Sequence, residues 1–480
     1  MKAWLRTEDG WAVLIGLTLI GLGALAVTGT DWLGWVVTTQ VWVDIGKAMA
    51  PASKSYEALP WAVSLLLTYL FLLGLLLVSA YFLGLDLRPF AMGFTVLFAV
   101  SYLCWLLGHN AYLAATPEKR KAYGIEWSLG LTGEAGFIIA LLAGLLVGNV
   151  FPGAANWLKE AARPECFIKT AIVILGGSLG VQAASAAGLV SAILFRGMAA
   201  IVEAYLIYWA LVYFVARRFF GFSREWAAPL ASGISICGVS AAIATGAAIR
   251  ARPIVPIMVS SLVVVFSVFE LLLLPLAACR WLWDDPMVAA AWMGLAVKTD
   301  GAAVSSGAIT EALILAKAAE MGISYQQGWM LLTTTTVKVF IDLFIGVWAF
   351  VLAVVWAYGI DRKPGRGVPF AEIWQRLPKF VFGYFLAFAL LLAIGLIWPE
   401  TVDALKRGTG QSDQFRRILF AMTFFAIGLA SNFKKLWAEG LARLALVYVV
   451  CLFGFVIWIG LAISLLFFHG VLPPMAPAGS

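Results

Sequence analysis

Histidine is nearly absent from this 480-residue chain, which has only His109 and His469, and charge is scarce, with Asp, Glu, Lys and Arg making up 12%. A soluble domain carries roughly a quarter charged residues. The five cysteines (Cys104, Cys166, Cys237, Cys279 and Cys451) are scattered without a CxxC pair, so neither a metal cluster nor a disulfide framework is indicated. No HExxH, GxxxxGK[ST] or paired-histidine pattern occurs, and those are the arrangements that supply a zinc site or a phosphate cradle. These absences argue against an enzyme, a metal or a cofactor. There is also no large soluble module of the kind a sensor or scaffold would use.

Apolar residues are abundant: 62% of the chain, with a mean hydropathy of +0.94. A stretch of about 18 or more apolar residues is long enough to cross a bilayer as a helix. Such runs fall at 11–29, 61–84, 90–108, 131–151, 168–187, 190–216, 255–278, 328–357, 379–398, 417–432 and 444–468, giving an all-α polytopic membrane protein with about eleven spans. Lys2, Arg6 and the triplet Ala24-Leu25-Ala26 fit a cleaved signal peptide. The length of the first run and the acidic Glu8 and Asp9 before it favour a retained span. The net charge of +7 resides in short loops, where the positive-inside rule accounts for it without nucleic acid. Counting Lys2, Arg6, Lys159, Arg163, Arg217, Arg218, Arg224, Arg362, Lys363, Arg366, Arg376, Lys379, Lys434 and Lys435 as cytoplasmic puts the apolar C-terminal tail outside.

Two stretches, 226–250 and 287–314, are hydrophobic but rich in Gly, Ala, Ser and Thr. "AAIATGA" (Ala241 to Ala247) resembles "AAVSSGA" (Ala302 to Ala308). Residues 172–189 likewise resemble 424–441, with Gly176 to Gly188 and Gly428 to Gly440 equally spaced. Under the charge-derived topology the paired spans run in opposite directions, which makes an inverted repeat, a plan common among secondary transporters. The expected divisions are an accessory membrane module of three spans (1–130), a first repeat (131–286) and a second, inverted repeat (287–480). The two small-residue stretches are read as broken or re-entrant helices. Re-entrant hairpins from opposite faces are preferred over helices that break while crossing.

Backbone that leaves the helix inside a bilayer survives only where protein or a watery cavity serves its polar groups. Glycines such as Gly238 and Gly301 permit the break, and Ser235, Ser240, Thr245, Ser305 and Ser306, with Cys237 and Thr299 beside them, form a polar lining. Half-helices ending there aim N–H groups at a guest and suit an anion. Close helix packing through small residues is the plainer explanation for either stretch alone. The pairing of two favours a substrate site. Lys298 would add positive charge for the anion and Asp300 would carry a coupling ion, proton or sodium; a mutually neutralising pair at the membrane edge is the alternative. Lys338 and Asp342, one turn apart, read first as a structural ion pair, with Asp342 kept beside Asp300 as a coupling-ion candidate. Glu203 is central enough in its span to keep as a further candidate, whereas Glu134, Lys169, Arg196 and Glu270 read as interfacial.

From about residue 131 to 470 the chain resembles the YeiH-like sulfate exporter family. "ICGVSAAIA" (Ile236 to Ala244) matches the family's hallmark segment, and "IVILG" (172–176), "PKFVFG" (378–383) and "AMTFFAIGL" (421–429) match other recurrent pieces in order. The family is similar in turn to bile acid/sodium symporters and cation/proton antiporters. The resemblance implies an elevator, in which a core domain moves against a panel domain with substrate at crossed broken helices. Where many relatives carry a histidine followed by an acidic residue, this chain has Lys298, Thr299 and Asp300. The expected function is therefore secondary active export of a small anion, sulfate, sulfite or a sulfonate, across a bacterial cytoplasmic membrane. The alternatives are an importer or exchanger of carboxylates or other organic anions, and a passive anion channel. The expected partners are that anion, a coupling proton or sodium, the lipid bilayer and a second copy in a homodimer.

Overall fold

The computed structural model describes residues 4–115, 120–129, 133, 135–184, 187–252, 254–360, 379–431 and 442–476. In chain order its principal elements are α1 (Glu8–Ala24), a β1–β2 pair (Val37–Thr39 and Met49–Pro51, antiparallel), α2 (Trp61–Leu83), α3 (Leu87–Gly108), α4 (Ala135–Val150), α5 (Pro152–Leu158) and α6 (Pro164–Ala184). There follow α7 (Ser191–Arg218), α8 (Arg224–Ser235), α9 (Val239–Ala248), α10 (Ile254–Trp281), α11 (Pro286–Ala296), α12 (Asp300–Glu320), α13 (Trp329–Leu343), α14 (Ile345–Val354), α15 (Lys379–Ile397), α16 (Val402–Ala430) and α17 (Ala442–Phe468).

Among the described residues ten helices are long and apolar enough to cross a membrane, or eleven if the pair α4–α5, bent by 115°, counts as one span. Their membership corrects the sequence expectation in two places. The run 417–432 is the second half of α16, a continuous 29-residue helix whose earlier turns carry Asp403, Lys406, Arg407, Asp413, Arg416 and Arg417, too much charge for it to count by composition. Asp413 is partly buried there and pairs with Arg416 and Arg417. Conversely, α12, read as part of a small-residue stretch, is itself long and apolar enough to span.

The chain divides into two compact units, residues 1–190 with 379–430 and residues 191–378 with 431–480. In the first unit α6 packs on α15, α16 and α1, while α4 packs on α16 and α3. The N-terminal helix is stitched in. Thr7 caps α1 by accepting a bond from Gly10 N–H, Glu8 pairs with Arg163, and Asp9 reaches Lys169 Nζ at 2.9 Å and Lys379 N–H at 2.9 Å. The acidic residues that weighed against a signal peptide thus serve as joints between α1, α6 and α15.

α1 and α16 cross at two glycines. A Cβ on Gly408 would stand 1.8 Å from Gly23 O, and one on Gly23 would stand 2.5 Å from Gly408 O, so only hydrogen allows the approach. Ser412 Oγ then donates to Leu19 O at 2.8 Å. Gly408→Val should force the helices apart and cost at least ~3 kcal/mol by overpacking, whereas Gly410→Ala, which meets nothing within 4 Å, should be neutral or stabilising. Thermal loss of the monodisperse detergent-solubilised protein measures both.

Candidate functional site

The second unit contains both small-residue stretches, and each is a helical hairpin. In the first, α8 and α9 join through Ile236, Cys237 and Gly238, where Gly238 has φ 70° and ψ −106°, a conformation that penalises any side chain. A continuous helix would set Ser232 and Thr245 about 20 Å apart at 1.5 Å per residue. Instead Thr245 Oγ1 donates to Ser232 Oγ at 2.6 Å. Farther from the tip, Arg252 binds Glu225 through its backbone N–H (2.7 Å) and its guanidinium (3.0 Å). The chain therefore returns alongside itself.

The second hairpin joins α11 to α12 through Val297, Lys298 and Thr299. A Cβ on Gly294 would lie 2.8 Å from Thr334 O, and one on Gly307 would lie 2.6 Å from Thr334 Oγ1. Both arms of the hairpin thus rest on the same residue of α13. Thr299 caps α12 by accepting from Ala302 N–H at 3.3 Å. Each small-residue stretch is thus a pair of helices joined by a chain reversal, and α12 is itself of spanning length.

The two tips meet. A Cβ on Gly238 would lie 3.1 Å from Thr299 Cγ2 and 3.4 Å from Lys298 O. Between them stands Lys338 of α13, 1% exposed, whose Nζ donates to Ile236 O at 2.7 Å and to Lys298 O at 3.1 Å, with Asp300 Oδ1 at 3.7 Å. Ile236 follows the C-terminus of α8 and Lys298 that of α11, ends where carbonyls lack helical partners and carry partial negative charge. One ammonium thus serves the carbonyl ends of both hairpins. Cys237 Sγ and carboxylate oxygens of Asp300 and Asp342 lie within 4.8 Å of one another beside it, all buried.

Lys298 has a different setting from the one its sequence position suggested. Its ammonium donates to Leu295 O and lies 4.5 Å over the Tyr208 ring. Its backbone N–H donates to Glu270 Oε2 at 2.8 Å, and Tyr448 OH donates to Glu270 Oε1 at 2.8 Å. The cation that joins the tips is Lys338, the residue read as half of a structural pair. A lone lysine in the apolar span "TTTTVKVFIDLF" is the signal that points to it, because an ammonium there requires a dedicated set of partners.

The remaining candidates spread along the hairpins. Ser235 Oγ and Ser305 Oγ are buried without a hydrogen-bond partner among the described residues, Ser306 Oγ donates to Ala303 O at 2.8 Å, and Gly301 is buried in the first turn of α12. The side chain of Ser240 lies outside the described residues. Glu270, read as interfacial, is fully buried and bonded to the second tip.

A model of the family described as conserved hypothetical protein 698 matches residues 129–447, a span that holds both hairpins and Lys338. The chain belongs to that family. Its similar relatives include a UPF0324 membrane protein of Nitrosomonas europaea, 41% identical over 98% of this chain and 97% of the relative. Another, from Rhodopirellula baltica, is 29% identical over 77% of this chain and 61% of its own length. An uncharacterized protein of Archaeoglobus fulgidus is 51% identical over 30% of this chain and 88% of its own length. With ten apolar helices of spanning length, the family member described here is a multi-pass membrane protein. The family model starts close to residue 131, where the resemblance read from the sequence begins, while the Nitrosomonas relative extends over the N-terminal helices as well.

Lys338→Met should leave the carbonyls of Ile236 and Lys298 and the Asp300 carboxylate without their shared cation. A loss of ~3–5 kcal/mol is expected, as for a broken buried ion pair. Ser306→Ala, which removes one local hydrogen bond, should cost ~1 kcal/mol. Thermal unfolding of the two purified variants distinguishes them.

Proposed function

We propose that this protein is a secondary active transporter of a small anion, with its solute site at the meeting of the two hairpin tips and with a proton or sodium ion as coupling partner. The observation that carries this reading is Lys338 bridging Ile236 O and Lys298 O. Its ammonium neutralises the carbonyl ends of α8 and α11. The first turns of α9 and α12 remain, and their N–H groups, which no helical carbonyl can serve, suit an anion.

The charge balance supports coupling. Asp300, Asp342, Glu203, Glu270 and Glu311 are all buried in this unit with Lys298 and Lys338, five carboxyls against two ammoniums. A net negative charge far from water is costly, so an anion enters such a centre together with protons or a cation. Asp300, within reach of Lys338 and beside Cys237 and Asp342, is the carboxyl best placed to exchange one.

The distribution of the paired elements supports an inverted-repeat elevator. α6 and α16, which carry the matched spans, share the first unit, and the two hairpins share the second. Sulfate, sulfite and sulfonates are the solutes, and outward the direction, that the family resemblance suggests. In proteoliposomes, radiolabelled sulfate, sulfite or taurine should enter saturably, at a rate changed by an imposed proton or sodium gradient. Asp300→Asn should keep the protein folded and lose that gradient dependence. No flux of any of the three under any gradient would remove this solute class, and gradient-independent flux would indicate a channel.

A further inference from the structure

Glu203 is 0% exposed, and neither of its carboxyl oxygens has a hydrogen-bond partner among the described residues. It opens a π-helical segment, Glu203–Tyr208, within α7, and such segments recur at functional sites. The hydroxyl of Tyr208 beside it has its hydrogen committed to Val456 O at 2.7 Å, at the end of another π-helical segment, Leu452–Val456. Opposite lies Gly460: a Cβ there would be 2.7 Å from Tyr208 OH and 3.5 Å from Glu203 Oε1. Gly460 thus keeps space open beside Glu203 and the Tyr208 hydroxyl, the side-chain group placed to interact with that carboxyl.

We propose that Glu203 is a proton-binding site of this protein, a second titratable centre connected to the hairpin tips through Lys298. The titratable groups facing Glu203 are Tyr208 from its own segment and Lys298 from the second tip. Those facing Lys298 are Lys338 from α13, Glu203 from α7 and Glu270 from α10. Residue 298 stands between the two centres: its N–H is bonded to Glu270 and its C=O to Lys338. As a neutral acid Glu203 requires no donor and leaves the Lys298 ammonium to the Tyr208 ring and Leu295 O. Once its O–H proton has passed to water, the carboxylate attracts that ammonium, and the strand of the tip that holds Lys338 is displaced with it. Proton occupancy at Glu203 is thereby converted into a change at the tips. The inference rests on the transporter reading only in treating the proton as the coupling ion.

Infrared difference spectra of the purified full chain in lipid, recorded as pH is raised without any transported solute, test the site directly. The expected result is a carboxylic C=O band that disappears with rising pH in the wild type and in Asp300→Asn and is missing from Glu203→Gln. Gly460→Ala, which keeps the acid but fills the space beside it, should shift that band, and Glu203→Asp should retain a displaced one, so the test stands even if Glu203→Gln does not fold. An unchanged band in Glu203→Gln, or one indifferent to both Gly460→Ala and Glu203→Asp, overturns the assignment. Because no solute is present, this outcome is separate from the success or failure of the flux experiment.

Discussion

The ammonium of Lys338 is the interaction on which the second unit depends. Two hairpins that stop within apolar surroundings each leave a carbonyl end unserved, and unsatisfied backbone in such a place costs several kcal/mol per group. A single Nζ with three donors takes one carbonyl from each tip and lies beside Asp300. The break in one hairpin is thus stabilised by the same atom as the break in the other. A lysine buried for packing alone would be a liability. Here it replaces water for two chain reversals at once, and replacing it cannot affect one tip without the other.

Around that atom the unit arranges polar groups in layers. Cys237, Asp300 and Asp342 gather on the Lys338 side of the tips, while Glu203, Glu270, Tyr208 and Tyr448 surround Lys298 behind the second tip. The first unit shows a different chemistry: its helices approach through glycine, as at Gly23 and Gly408, and the partly buried Asp413 is paired locally with Arg416 and Arg417. A closely packed scaffold and a polar core with an excess of buried carboxyls are suited to different tasks.

Much of this was legible in the sequence because the governing rules are one-dimensional. Runs of apolar residues identify helices of spanning length, and the clusters of Gly, Ala and Ser at 226–250 and 287–314 identify where regular spans fail. The pairwise geometry was not. Hydropathy windows divide α16 because its first turns are charged, and no window reveals that Asp413 is matched within the same helix. The partner of Lys338 was sought one turn away at Asp342, because local spacing is all a sequence displays. The carbonyls it binds belong to residues 236 and 298, which lie 102 and 40 positions away along the chain. Glu270 was assigned to an interface for a related reason: its bonds to Lys298 N–H and Tyr448 OH join three distant segments.

The central claim, that the hairpin tips form a site opened in turn to the two sides of a membrane, is tested most directly through Cys237, which lies in the first tip. In a variant retaining Cys237 as its single cysteine, labelling by a membrane-impermeant maleimide would be compared in right-side-out and inside-out vesicles. The account predicts that Cys237 is labelled from both sides, each at a rate that a transported anion alters. Labelling from one side alone, or from neither while a permeant reagent reacts, would contradict it.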